Sequence, residues 1–363
     1  MSMRITKPLI MKVFLPLLFA VCLSLSAYAQ PDPSFCPCYA DTFRTHSLRV
    51  CFYNLENFFY PERDSTKNDM DFTPSGANHW TYYRYYTKAN HMAKVMLAMG
   101  GWDPPEVIGL AEVENEQVLK TLIHQTPLKA YAYRYVHFDS PDPRGIDVAL
   151  LYRPERFQVL HSEAVPVRFI HQRNTHTRDI LYVKGIANGA DDTLHLFVNH
   201  FTSRYGGYKA TISKRTFIAS LLRSRMEAIR QQQPQACVLA MGDFNDSPTD
   251  SSMRYYLHAV LDTAEAGEGT WMNLMYPYVR KNGVGTHKYQ RMWSVLDQFV
   301  VAPSMLQEQA SYHVAGPVCI FAMPFMLVED EKYLGKKPYR TFVGRKYQGG
   351  FSDHLPIMLD LKF

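Results

Sequence analysis

Cysteine is scarce, with six residues in a chain of 363. Cys22 falls in an apolar stretch near the start. The other five, Cys36, Cys38, Cys51, Cys237 and Cys319, are an odd number and exclude a full disulfide framework as the main support of the fold. Cys51 and Cys237 sit within apolar runs and read as buried thiols. Cys36 and Cys38 are too close to pair comfortably with each other, and one of them could bridge to Cys319. No Cys/His spacing resembles a zinc site. The chain also lacks internal repeats, low-complexity tracts and a clear linker, which excludes solenoid arrays and favours one domain. A strong charge imbalance is missing as well. The formal charge is +5, but Arg4, Lys7 and Lys12 precede the main body with no acid among them, and without those three it falls to +2. A globally basic, nucleic-acid-coating surface is therefore excluded, and any basic patch must be local.

The only long hydrophobic run is Val13 to Ser26, too short to span a bilayer comfortably. It follows the three basic residues and precedes Ala27-Tyr28-Ala29, small residues at the two positions a signal peptidase reads. Residues 1–29 are expected to be a cleaved secretory signal, residues 30–46 an N-terminal extension, and residues 47–363 the folded domain. Cys22 lacks the preceding small residue of a lipoprotein site. The expectation is an exported soluble protein, periplasmic or secreted, with no stable membrane association after cleavage, and a monomer.

Strand-length apolar runs recur at Leu48–Tyr53, Glu106–Ala111, Tyr133–Phe138, Ile146–Tyr152, Phe157–Val167, Ile180–Ile186, Leu194–Asn199, Ala236–Met241, Val295–Val301 and Leu355–Leu361. Helical periodicity is confined to Thr87–Met99, Glu116–His124 with Asn115 as cap, Thr211–Gln232, and a short helix starting near Thr249. Strands outnumber helices, which suits two sheets packed face to face with helices outside. Segments 62–78 and 329–350 read as long polar loops, and such loops are usually functional or mobile.

Polar residues gather at the strand ends. Asn54-Leu55-Glu56-Asn57 ends the first strand, and Glu112-Val113-Glu114-Asn115 follows the second. Asn199-His200 ends another, ahead of Arg204 and Gly206-Gly207. Gly242-Asp243-Phe244-Asn245 follows Ala236–Met241, Asp297 lies on a strand, and Ser352-Asp353-His354-Leu355-Pro356 opens the last one. Oxygen donors of this kind suit Mg²⁺, which needs one or two carboxylates and keeps several waters. Mn²⁺ and Ca²⁺ accept similar donors. A His–Asp pair can handle protons near neutral pH.

These motifs, in this order, resemble the endonuclease/exonuclease/phosphatase superfamily with the DNase I-like fold, across essentially the whole chain after residue 46. The wording Asn-Leu-Glu-Asn-Phe-Phe and Arg-Gly-Ile-Asp-Val-Ala-Leu-Leu-Tyr is similar to exported bacterial members. The resemblance implies an α/β (α+β) four-layer sandwich of two packed mixed β-sheets flanked by helices. It implies a metal-dependent hydrolase of phosphate esters, foremost a nuclease cleaving a DNA or RNA backbone by in-line attack of water. A phosphatase or phospholipid phosphodiesterase of the same superfamily, or a non-catalytic nucleic-acid-binding module, are the alternatives. It also implies roles: Glu112 as the main Mg²⁺ ligand with Asn54 beside it and Asp353 at the metal side; His354 in acid–base chemistry, oriented by Asp297; Asp243 and Asn245 positioning water and phosphate; His200 donating to a phosphoryl oxygen.

Plainer readings stand beside these. Asp243 and Asn245 also make an Asx turn. Glu114, two residues from Glu112, also suits a helix N-terminus. Arg144 and Arg204 are candidate substrate-binding residues, but Arg144 is equally placed for an ion pair with Asp142 or Asp147. His195 is five residues from His200, an odd step, so it faces the other side of the strand, toward solvent or a helix. His171, His176, Arg173 and Arg178 share a loop and receive no role. Lys332, Lys336, Lys337, Arg340, Arg345 and Lys346, interleaved with Tyr333, Tyr339 and Tyr347, form either a polyanion clamp or a solvated loop. The Trp80–Tyr86 cluster either stacks on bases or packs its loop onto the sheet.

Overall fold

The computed structural model describes Phe35 and residues 46–101, 103–169 and 175–363. Residues 1–29, expected to be a signal sequence, nearly all of residues 30–46, Cys36, Cys38, His171 and Arg173 lie outside these residues. Cys319 is disulfide-bonded, with a partner outside the described residues. Cys51 and Cys237 are buried thiols, as expected.

The strands in chain order are β1 (Ser47–Phe58), β2 (Val107–Val113), β3 (Arg134–His137), β4 (Asp147–Tyr152), β5 (Phe157–Val165), β6 (Ile180–Ala187), β7 (Leu194–His200), β8 (Cys237–Asp243), β9 (Ala259–Val260), β10 (Trp271–Asn273), β11 (His287–Tyr289), β12 (Met292–Ser294), β13 (Asp297–Val301), β14 (His313–Val314), β15 (Cys319–Ile320), β16 (Leu327–Glu329), β17 (Lys336–Pro338), β18 (Phe342–Val343), β19 (Lys346–Tyr347) and β20 (Ile357–Lys362). One mixed sheet runs β14-β20-β1-β2-β4-β3, with β15 also on β20; the other runs β5-β6-β7-β8-β13-β10-β9. The parallel pairs β1/β2 and β7/β8 lie at the centre. Strands covered on both faces need near-continuous apolar runs, and every residue of β7 and β8 is buried.

The two sheets pack on each other through β1 and β2 against β7 and β8. Gly109 of β2 is needed for that approach, because a Cβ there would lie 2.9 Å from the Met241 sulfur of β8. Gly242 is needed within the second sheet, where a Cβ would lie 2.3 Å from the Asn199 carbonyl oxygen. The glycine of the Gly-Asp-Phe-Asn motif is therefore a packing requirement that sets Asp243 directly beside β7.

Three long helices flank the sheets: α1 (Tyr82–Gly100), α2 (Glu116–His124) and α3 (Tyr208–Gln232). Helix α1 starts five residues before the apolar stripe, because the Thr81 side chain caps it by accepting from the Arg84 N–H. Asn115 caps α2 by accepting from the Val118 N–H. On α3 the buried line is Thr211, Arg215, Ile218, Ala219, Leu222 and Met226, so Phe217 and Leu221 are only half-buried. A buried arginine displaces the stripe expected from the apolar residues. Near Thr249 the expected helix is a single π-helical turn, Ser252–Tyr256. The 329–350 segment forms two small hairpins, β16/β17 and β18/β19.

Candidate active site

Two backbone irregularities aim the acidic side chains. The β1/β2 register shifts between Asn54 and Phe58, and the β2/β4 register shifts between Ala111 and Val113. At these bulges Glu56, Asn57 and Glu112 adopt φ of 51°, 50° and 62°. Left-handed backbone at a non-glycine residue costs about 1–3 kcal/mol and persists only where surroundings enforce it. Here the Asn57 N–H donates to Glu112 Oε2 at 2.6 Å, so one bulge fixes the carboxylate of the other.

The second sheet supplies a row of three. His200 of β7 pairs in register with Asp243 of β8, and Asp243 pairs with Asp297 of β13. Directly opposed residues share a sheet face, so all three side chains point the same way. Asn54 spans the gap between sheets, donating from Nδ2 to Asp243 Oδ2 at 3.2 Å and to Glu112 Oε1 at 3.4 Å. His200 Nε2 lies 3.7 Å from both of those carboxylates. His354 enters from the segment before β20. Its Nδ1 lies 2.7 Å from Asp297 Oδ2, and its Nε2 is 3.8 Å from Asp243 Oδ2. The structure thus brings Asn54, Glu112, His200, Asp243, Asp297 and His354 into one buried pocket.

Asn245 sits at the pocket edge with φ of 50°. Its N–H donates to Asp243 Oδ1 at 2.9 Å, which is the Asx turn, and its Nδ2 donates to the Phe201 carbonyl at 3.0 Å. The turn fixes one oxygen of Asp243 and leaves the other facing the pocket. Asp353 lies on the His354 side, 2.9 Å from the Arg340 guanidinium and 4.0 Å from His287 Nε2.

The two arginines expected to bind substrate differ. Arg144 is half-exposed and pairs loosely with Asp142 at 3.4 Å. Arg204 is held by Asp246 at 2.9 Å and Asp250 at 2.6 Å, and its Nε donates to the Asn245 carbonyl at 2.7 Å. Fully buried Arg215 joins the same Asp246 at 2.8 Å. Arg204 therefore braces the turn that carries Asp243 and Asn245. Removing one partner of a buried pair such as Arg215–Asp246 costs about 3–5 kcal/mol.

The electrostatics divide the pocket. Burial pushes Asp243 up to about 7, with His354 opposing and Asp297 and Glu112 adding to the rise. Burial alone would lower His354, but Asp297, Asp243 and Asp353 hold it well above the ordinary histidine value. His200 is pushed well below that value by burial, then by the Arg178, Arg144 and His354 charges. The pocket thus holds a cationic imidazole, a neutral one, and a carboxylate poised near neutrality.

Several participants carry no readable sequence signal. His287, in β11, packs against His354 with ring centroids 4.8 Å apart and the rings tilted by 39°. Arg178, given no role above, is buried; it donates to the carbonyls of His200 and Phe201 and pairs with Asp142 at 3.0 Å. Glu56 accepts from the N–H groups of Thr341 and Phe342, at 2.6 and 3.1 Å. Buried Lys88 of α1 donates to the Glu56 carbonyl at 2.8 Å and to the Thr341 hydroxyl. This clasp ties the basic hairpins to the end of β1. Glu114 is no helix-end charge: it is buried, accepts from the Tyr60 N–H at 2.7 Å, and is pushed up to about 8 by burial. His195 faces away from His200 as expected, but it is neither solvent-facing nor free; it is 4% exposed and 2.7 Å from the Tyr182 hydroxyl. In the aromatic cluster, Trp80 and Tyr85 are core, while Tyr83 is 79% exposed.

The donor set suits a divalent cation. Glu112 and Asp243 converge on one Asn54 amide with a neutral imidazole beside them, leaving buried negative charge that a cation would offset. Glu112 Oε1 and Asp243 Oδ2, which accept only the long contacts from Asn54 at 3.4 and 3.2 Å, offer the oxygens for it. Asn54 is oriented as a donor, its Oδ1 accepting from the Glu56 N–H at 3.0 Å, so it gathers the carboxylates rather than presenting oxygen. His287, Asp353 and His354 form a neighbouring group whose ligand atoms lie within 4.8 Å of one another.

Comparison with known proteins agrees with this geometry. No curated protein matches the sequence. The chain is similar in structure to a Bacteroides thetaiotaomicron mannosyl-6-phosphatase (18% identity, TM-score 0.54, 87% of this chain and 100% of that one). It is similar to D. rerio TDP2 complexed with single-strand DNA product (15%, 0.52, 88% and 100%) and to the human nocturnin catalytic domain with bound sulfate (16%, 0.51, 88% and 95%). At these identities the likeness concerns the fold, an α/β sandwich of the DNase I-like kind. The Endonuclease/Exonuclease/phosphatase family profile matches residues 49–362. With its two mixed sheets and the pocket at their strand ends, the chain belongs to the endonuclease/exonuclease/phosphatase family, whose members hydrolyse phosphate esters.

Proposed function

We propose that this chain is an exported, divalent-metal-dependent phosphodiesterase, a nuclease that cleaves a DNA or RNA backbone by in-line attack of water. The observation that carries the reading is the meeting of an Asp297-held His354 with Asp243 in one pocket. A bound Mg²⁺, held by Glu112 with Asp243 and Asn54 close by, would neutralise charge on the phosphoryl oxygens. The protein's own groups do the rest. Asp243, fixed through one oxygen by the Asn245 N–H, positions the attacking water and accepts its proton. Cationic His354 donates to a phosphoryl oxygen, and Asp297 fixes its ring. His200 donates from Nε2. Arg144, free on its outer side, meets the phosphate bidentately.

Exposed aromatics favour a nucleic-acid strand over a small ester. Tyr289 is 70% exposed, on the same strand face as His287, and Tyr205 is 93% exposed, five residues past His200. Such rings are stacking platforms for bases. A phosphomonoester reading is favoured by the likeness to the mannosyl-6-phosphatase. The two separate when the purified chain and Mg²⁺ are incubated in parallel with single-stranded DNA, RNA, plasmid, a sugar phosphate, phosphoinositides and sphingomyelin. Cleavage of the polynucleotides and no phosphate from the sugar ester is the expected result; the reverse would replace the nuclease by a phosphatase. Export rests on the pattern of residues 1–29, and predicts a mature chain beginning at Gln30 outside the cytoplasm.

A further inference from the structure

A second group of ligands lies outside the pocket, on the edge strand β3 and its inner neighbour β4. His137 stands opposite Ala149 in the β3/β4 register. Asp147, two residues before Ala149, shares its sheet face, so His137 and Asp147 are diagonal neighbours. Their side chains are each only 2% exposed. His137 Nε2 and Asp147 Oδ2 have no hydrogen-bond partner. They face each other at 3.4 Å. That is long for a hydrogen bond, which for N–H···O centres on about 2.9 Å. It is the spacing of two ligands on one tetrahedral ion: atoms about 2.0–2.1 Å from such a centre lie about 3.4 Å apart. Asp139, exposed in the loop that follows β3, completes a group whose ligand atoms lie within 4.8 Å of one another.

We propose that His137, Asp139 and Asp147 form a second cation site, for a divalent transition ion of the Zn²⁺ class. The donor set decides the class. One imidazole nitrogen with two carboxylates suits Zn²⁺ or a similar ion, whereas Mg²⁺ and Ca²⁺ take oxygen alone. The support behind it is already built. The other oxygen of Asp147 accepts from the Ser140 N–H at 3.1 Å and from the Ser140 hydroxyl, which fixes the carboxylate and leaves Oδ2 for the ion. Both ends of the 138–146 loop would then be tied to one ion. That loop carries Asp142, which pairs with Arg178, and Arg144. The ion would be a staple on a loop that flanks the pocket, not a participant in the chemistry.

The test titrates metal-stripped protein with Zn²⁺ alone, by calorimetry, in a Glu112→Gln background that removes the main acid of the pocket. Zn²⁺ binding should persist in that background and raise the thermal midpoint. Adding His137→Gln should weaken it by about tenfold or more, with the circular dichroism of the metal-free protein unchanged. Asp139→Asn, at an exposed position that cannot compromise folding, should weaken it less. Co²⁺ in place of Zn²⁺ should give the intense visible bands of tetrahedral coordination, absent from the His137→Gln variant. Zn²⁺ binding that disappears with Glu112→Gln alone, a titration unaltered by both His137→Gln and Asp139→Asn, or a weak octahedral Co²⁺ spectrum would each overturn the proposal.

Discussion

His354 and His195 are both buried, and each is held through Nδ1 by an oxygen 2.7 Å away. They behave oppositely. The oxygen on His354 belongs to Asp297, and with Asp243 and Asp353 nearby the imidazole is held well above its ordinary value. The oxygen on His195 belongs to the Tyr182 hydroxyl, and burial with the Lys184 charge pushes that imidazole down to about 4. Burial lowers both; only a carboxylate partner reverses it. One ring is therefore a cation facing a pocket, the other a neutral spacer between two strands. The type of residue and its hydrogen-bond length do not decide the role; the charge of the partner and the presence of a cavity do.

The comparison can be broken or sharpened. The largest effect concerns the acids that surround His354. Chelation, or Glu112→Gln, should abolish phosphate-ester hydrolysis at any pH, measured as product release at saturating substrate, while melting of the apoprotein is retained; metal-independent turnover would remove the cation from the account. Asp297→Asn should come next. It keeps the ring in place but takes away the charge, so kcat should fall by about 10²-fold and the pH profile should move, with KM little changed. An unmoved profile would show that the partner's charge is irrelevant. Replacing the six bases of the 332–346 segment should flatten the salt dependence of polynucleotide binding.

The smallest effect belongs to His195. His195→Gln should leave hydrolysis unchanged and act on acid stability alone. Because the folded value is depressed, the stabilisation from a neutral His195 is present above about 6.5 and is lost as pH falls toward about 4. The variant should show a shallower loss of stability across that window in denaturant titrations. Identical acid profiles would mean that the ring is not neutral in the folded protein.

Much of this was legible in the sequence because it depends on local pattern. The ten apolar runs all contain strands, and α2 begins and ends where Asn115 and the apolar periodicity place it. Asp243, Asp297, His200, Asn54, Glu112 and His354 were legible because each stands at or beside a strand end in a known order. What escaped depends on contacts distant in the chain. Nothing around His287 marks it as the ring that packs against His354. Arg178 looked like a loop base because its carbonyl partners, His200 at the end of β7 and Phe201 just beyond it, are 22 and 23 residues away. The clasp of Glu56 by Thr341 and Phe342 joins residues some 285 positions apart and needs left-handed backbone at Glu56, which no residue-type preference announces. The hairpins of 329–350 escaped for the same reason, since Glu56 and Lys88 anchor them from outside. Arg204 was misleading because its partners, Asp246 and Asp250, lie 42 and 46 residues away in the chain.

The most direct test of the account is the turnover of His354→Ala beside His195→Gln, on the same polynucleotide with the same Mg²⁺, with folding checked by circular dichroism. Loss of about 10²–10⁴-fold in the first variant, and none in the second, is the predicted result. A His354→Ala protein that is folded and hydrolyses at the wild-type rate would contradict it.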